Sequence, residues 1–200
     1  MNFKIIFLIS CATLLSSCAL MSPVPNEQDN TFEISTLPHV MPDYYHSAET
    51  ILILEPNGNP IYDSTDIAYT LRPFQIAYFA KNHWAATPSV MIQQLMVKTL
   101  ENTRHFKAVV APPFVGKYDL VLNTQLVELQ QDFTVCPSEI HLTFRAELSR
   151  TSTNRTIAMK EFSVVEPALQ DSPYGGVYAT NLAVAKVLDE LAQFVMQKTR

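Results

Sequence analysis

The sequence predicts an α+β fold: a mixed, largely antiparallel β-sheet with two main amphipathic helices packed on it in a single domain. Three observations carry this. Ile140, Leu142, Phe144, Ala146 and Leu148 alternate with His141, Thr143, Arg145 and Glu147, the pattern of a strand with one buried face. Thr151-Ser152-Thr153-Asn154 then reads as a turn, which makes 140–150 and 155–165 a hairpin. Two stretches, one after Thr87-Pro88 and one closing the chain, space their apolar residues as helix faces do.

The elements follow in order. Phe32-Glu33-Ile34-Ser35 is a short strand candidate. Ile51-Leu52-Ile53-Leu54 is a continuous apolar run ended by Glu55-Pro56-Asn57-Gly58, which favours a strand buried on both faces. Residues 67–71 and 74–79 read as two short strands about Pro73. At Thr87-Pro88 the threonine is placed to cap free N–H groups, and proline loses nothing at the first helical position. Ile92, Leu95, Met96, Thr99 and Leu100 then share a face over about four turns.

Residues 106–110 form a further short strand candidate, and 118–133 a long one. In the long one Leu120, Leu122 and Leu126 share one phase, and Val121, Val127 and Leu129 the other. In 155–165, Ile157 and Met159 are out of phase with Phe162 and Val164, so a bulge is expected between the two pairs. The closing helix, of roughly five turns, aligns Val177, Val184, Leu188, Leu191 and Val195. Gly175-Gly176 reads as a flexible loop before it; an anion cradle is the weaker reading, since no Lys-Ser/Thr follows.

The N-terminus carries the most specific motif. Lys4 precedes an apolar run, Ile5 to Leu15, too short for a bilayer-spanning helix, which needs roughly 20 residues. Leu15-Ser16-Ser17-Cys18 fits a lipobox, in which Cys18 is acylated and becomes the new N-terminus. The expected division is a signal peptide at 1–17, a lipidated N-terminus and tether at 18–30, and the domain at 31–200. Multiple acyl chains would hold the domain firmly to a membrane.

Composition narrows the function. The segment before Cys18 contains Lys4 and no acid, so its removal moves the formal charge from −5 to −6. An acidic chain without a Lys/Arg block argues against nucleic acid as a partner. Cys136 is the one cysteine left after Cys11 departs and Cys18 is acylated, which excludes an intramolecular disulfide. It reads as a small buried apolar residue, with an intermolecular bridge as the lesser alternative. The five histidines, at 39, 46, 83, 105 and 141, show no metal-ligand spacing, and there is no Gly-X-Ser-X-Gly or His-Glu-X-X-His. His141 falls on the polar phase of its strand, where solvent is expected to reach it, and His83 is placed to order a loop beside Trp84. No metal, no cofactor and no catalysis are expected, although a triad assembled in space leaves no trace in sequence.

Several segments together resemble the ABC-type transport auxiliary lipoproteins, including the paraquat-inducible protein C group. They are "ILILEP", the run from Ile67 to Val110 with Tyr78, Trp84, Pro88 and Met91, and the strand from Tyr118 and Leu120 to Gln131-Asp132-Phe133. The order of these segments behind a lipobox carries the likeness. The resemblance implies an outer-membrane lipoprotein facing the periplasm. It would be associated with a lipid-moving system of an ATPase, a permease and an MCE-domain protein, all of them other chains. Ala19, rather than Asp, after Cys18 fits sorting to the outer membrane in a Gram-negative source. A homo-oligomer is a further expectation.

Three functions stay open. The first is a scaffold docking an MCE-domain protein. The second is a lipid carrier, for which Tyr69, Phe74, Tyr78, Phe79 and Trp84 would have to line an apolar pocket rather than fill a core or an interface. The third is an activator of a cell-wall synthase, for which a tether of about 12 residues is short. Trp84 and Tyr78 are the partner-binding candidates, because aromatics are enriched at binding hot spots. The competing reading of Trp84 is that it caps the first helix against the sheet.

Overall fold

The structure is a computed structural model that describes residues 29–43 and 45–200. The signal peptide, the lipobox Cys18 and the tether up to Gln28 lie outside the described residues.

One long strand organises the sheet. β7 (Leu120–Asp132) pairs antiparallel with β8 (Glu139–Arg150), which pairs antiparallel with β9 (Arg155–Pro167). The alternation in β8 sends Ile140, Leu142, Phe144, Ala146 and Leu148 into the core. Along its other edge β7 carries three short strands in succession, each parallel to it. They are β2 (Thr50–Ile53), β3 (Asn57–Gly58) and β4 (Asp66–Thr70). β6 (Ala108–Val110) extends the sheet beyond β2. β5 (Ala77–Trp84) folds back antiparallel on β4, and β1 (Asn30–Phe32) lies parallel along β5. The long ladders are antiparallel and the short pairings mostly parallel, so the sheet is open, mixed and largely antiparallel by paired length. Ile51, Leu52 and Ile53 are all buried, as a strand covered on both faces requires.

Both helices join the core that the sheet builds. α1 (Pro88–Thr103) contributes Ile92, Leu95, Met96 and Leu100, and α2 (Pro173–Lys198) contributes Val184, Leu188, Leu191 and Val195. The other face of β7–β9 presents polar side chains, among them Arg145, which pairs with Glu161 at 2.6 Å.

Several details differ from the sequence expectations for identifiable reasons. Thr87 makes no side-chain cap; the carboxylate of Asp63 accepts from the Ser89 N–H instead, at 2.9 Å. Such a cap comes from a distant loop and leaves no local pattern. The bulge in β9 falls at Ile157, where Leu148 faces Ala158 and Ser149 faces Thr156, so Met159 is left 59% exposed. A second bulge, between Leu126 and Glu128, turns Leu129 onto the buried face with Leu120 and Leu122. β5 begins at Ala77 because 71–76 form the hairpin loop. β1 ends at Phe32, since the Asn181 side chain then takes over the backbone. It accepts from the N–H groups of Ser35 and Thr36, at 2.9 and 3.1 Å, and donates to the Glu33 carbonyl at 3.1 Å.

Gly175 and Gly176 are not a loop. They sit in the first turn of α2, capped by Ser172, whose Oγ accepts from Gly175 N at 3.1 Å. A Cβ on Gly175 would fall 2.1 Å from the Gln170 carbonyl oxygen, and one on Gly176 2.1 Å from Gln131 Oε1. The glycines let the helix start against its neighbours.

Candidate interaction surfaces

Three connections leave the sheet on one side. β4 runs into 71–76, β7 into 133–138 and β9 into 168–172. The pairings Thr70↔Asp132, Asp132↔Glu139 and Glu139↔Pro167 set them side by side. All six residues from Leu71 to Ile76 are exposed, and Phe74 is completely so at 109%. Phe74 also has φ 67°, in the left-handed region, which costs a side-chain-bearing residue about 1 kcal/mol. Val135 and Leu169 are exposed beside it. Behind the loops Tyr69 stacks on Phe79 with centroids 4.3 Å apart, and Phe133 meets both edge-on.

Cys136 lies in the second of these loops. It is exposed rather than buried, because the loop runs over the surface between two antiparallel strands. Its Sγ stands 3.8 Å from Asp171 Oδ2. The Ser138 N–H donates to Asp171 at 2.6 Å and holds that carboxyl below its ordinary pKa.

The partner-binding candidates separate. Tyr78 is 43% exposed on β5 and donates its hydroxyl to the Ile61 carbonyl at 3.0 Å. Trp84 is not in a loop. It ends β5, is 4% exposed and belongs to the hydrophobic core, so its ring packs rather than faces a partner. His83, in β5, stands 3.3 Å from Asp66, and half-buried His141 stands 2.8 Å from Glu139.

The opposite end holds an arrangement the sequence did not foretell. His105 Nδ1 lies 2.9 Å from Asp43 Oδ2, and Nε2 lies 2.8 Å from Thr199 Oγ1. This is the order of a catalytic triad. Its imidazole has no exposure, however, and Thr199 Oγ also donates to the Val195 carbonyl at 2.9 Å in the last turn of α2. The group is a clasp: Arg200 donates to both Asp43 oxygens at 3.1 Å, and Asp43 N donates to Thr103 O at 2.8 Å. The Tyr45 N–H and the side chains of His105 and Arg200 lower the Asp43 pKa from 3.8 to about 2, against the opposing effect of burial. The partners are 62 and 94 residues apart in sequence, so no local spacing gives them away.

The clefts are open, with polar and apolar side chains mixed along their walls. One, of about 420 Å³, is lined by Leu54, Asn123, Gln125, Arg145, Glu147 and Met159. A second, of about 300 Å³, lies between Ser35-Thr36 and Tyr174, Tyr178 and Asn181 of α2. Among the described residues no three His, Cys, Asp or Glu side chains form a metal-holding group, and no helix is long and apolar enough to cross a membrane.

A family model for the ABC-type transport auxiliary lipoprotein component matches residues 35–192, from the clamp by Asn181 to the last core turns of α2. The chain belongs to this family. The auxiliary lipoprotein also shares its fold with solved structures. It superposes on a crystal structure of protein XCC0632 from Xanthomonas campestris with a TM-score of 0.77 and 18% identity, covering 84% of this chain and 96% of that one. Hypothetical protein CT253 from Chlamydia trachomatis gives a TM-score of 0.52 and 9% identity over 76% and 98% of the two chains. No curated protein sequence matches. At these identities the solved structures speak for the auxiliary lipoprotein's fold alone.

Proposed function

We propose that this chain is a non-catalytic outer-membrane lipoprotein on the periplasmic face, anchored by acyl chains on Cys18. It serves an ABC system that moves lipid across the periplasm, and it docks that system's MCE-domain protein at the membrane. The observation that carries the reading is the family match, which spans nearly the whole folded domain. The domain's chemistry fits a scaffold: its clefts are open, where an acyl chain needs enclosure, and the imidazole of its triad-ordered residues is buried. Tyr78, exposed on β5, is the partner-facing aromatic in this reading.

The test is mild crosslinking in native membranes, affinity purification of the full-length protein, and mass spectrometry of its companions. An MCE-domain protein among them, lost in Tyr78→Ala, is the expected result. A cell-wall synthase in its place overturns the reading, and so does phospholipid alone.

A further inference from the structure

The loop end of the sheet has three properties that belong together. Its connections expose Leu71, Phe74, Ile76, Val135 and Leu169. Residues 71–76, 133–138 and 168–172 contain only two charged side chains, Arg72 and Asp171, and Asp171 is engaged by the Ser138 N–H. An aromatic and aliphatic group with so little charge is unusual on a surface facing water.

The third property is the course of the chain. β1 runs parallel to β5 with Asn30 opposite Asn82, and β5 runs away from the 71–76 loop. β1 therefore enters the sheet with its Asn30 end turned toward the loop side. Cys18 lies only eleven intervening residues upstream, a reach of at most about 40 Å. The opposite end carries more charge: Arg104, Lys107, Lys117, Arg155 and Lys198 are exposed there with Glu101 and Asp119, beside the exposed Phe114 and Val115.

From these we infer that the loop end is a bilayer-contacting tip, with Phe74, Leu71 and Val135 entering the interfacial region of the membrane that carries the Cys18 anchor. The inference rests on the anchored reading of Cys18, and it adds an orientation that anchoring does not supply. Phe74 makes the apolar insertion, and Arg72 beside it meets phosphate groups. Tethering confines the tip near lipid, so even a weak insertion is populated. The domain then stands with its sheet strands across the gap from membrane to periplasm, and its opposite end is presented outward.

The exposed native Cys136 makes this testable on the whole lipidated protein in vesicles of phosphatidylethanolamine and phosphatidylglycerol. A nitroxide is placed on Cys136, or, with Cys136→Ser, on Phe74→Cys or Val115→Cys. Its accessibility to oxygen and to a water-soluble nickel chelate is then read. Labels at 74 and 136 are expected to gain oxygen and lose nickel accessibility on incorporation, while the label at 115 stays in water. Phe74→Asp should remove most of the change at 136, with the melting temperature unchanged. The inference is overturned if the label at 74 stays as water-accessible as that at 115. It is equally overturned if that label becomes inaccessible to both agents, since the tip is then covered by protein such as a second copy. Insertion without a co-purifying MCE-domain protein sinks the transport reading alone; a co-purifying partner with a wet tip sinks this inference alone.

Discussion

The two ends of the sheet solve opposite problems with the same strands. At the loop end, apolar side chains stand in solvent and Phe74 holds an unfavourable backbone angle while fully exposed. At the far end, charged and polar groups are drawn inward: His105 is sealed between Asp43 and Thr199, and Arg200 closes over Asp43. The far end spends its polar chemistry on joining the loop before β2 to the ends of both helices. The loop end leaves its apolar groups outside the core.

Substitutions can break or sharpen that contrast. The largest effect is expected just behind the loop end, where Trp84 joins the core. Trp84→Ala should cost about 3–5 kcal/mol, read as a lowered denaturant midpoint; a variant of wild-type stability that loses its partner would return Trp84 to the binding surface. Next, His105→Ala should cost about 2–3 kcal/mol by removing the buried hydrogen bonds to Asp43 and Thr199 and leaving a cavity. If it melts like wild type, the clasp holds nothing together.

The acid limb of stability comes third. Asp43 has its pKa lowered from 3.8 to about 2 in the folded protein. Its contribution is therefore complete above about pH 4 and is lost as pH falls from there towards 2. Asp43→Asn should be less stable at neutral pH and flatter across that window in acid titrations. A slope there identical to wild type would place the proton uptake elsewhere. Smallest of all, Phe74→Asp should shift stability by less than about 0.5 kcal/mol, because the ring touches nothing in the folded domain. A large loss would mean that the loop end takes part in folding.

The same contrast explains what sequence could reveal. Strict alternation in β8 and helical spacing in α1 and α2 come from burial against a single core, so those elements were legible in order and type. Bulges were less so. The phase change between Met159 and Phe162 announced an irregularity in β9, but Ile157 absorbs it, because pairing with β8 selects the place. Gly175-Gly176 read as a loop, since helix propensity argues against two glycines; the close approach of Gln131 and Gln170 outweighs that preference. Trp84 read both as a binding residue and as a cap of the first helix against the sheet, because composition cannot tell a buried aromatic from a waiting one. Cys136 misled in the opposite sense. The loop end left a faint signal, apolar residues beside proline in Leu71-Arg72-Pro73-Phe74 and Val135-Cys136-Pro137. The clasp left none, since its members meet only after the sheet has formed.

The hold of Asn181 on residues 33–36 has a mechanical consequence. When the domain is tugged from its N-terminus, tension runs along β1 and arrives at this one amide. Two N–H groups and a carbonyl meet there with a side chain rooted in α2. Because β1 lies parallel to β5, the pull shears its rungs together instead of opening them one by one. Force applied there is then passed through Asn181 to the long helix, and the sheet edge is spared from peeling.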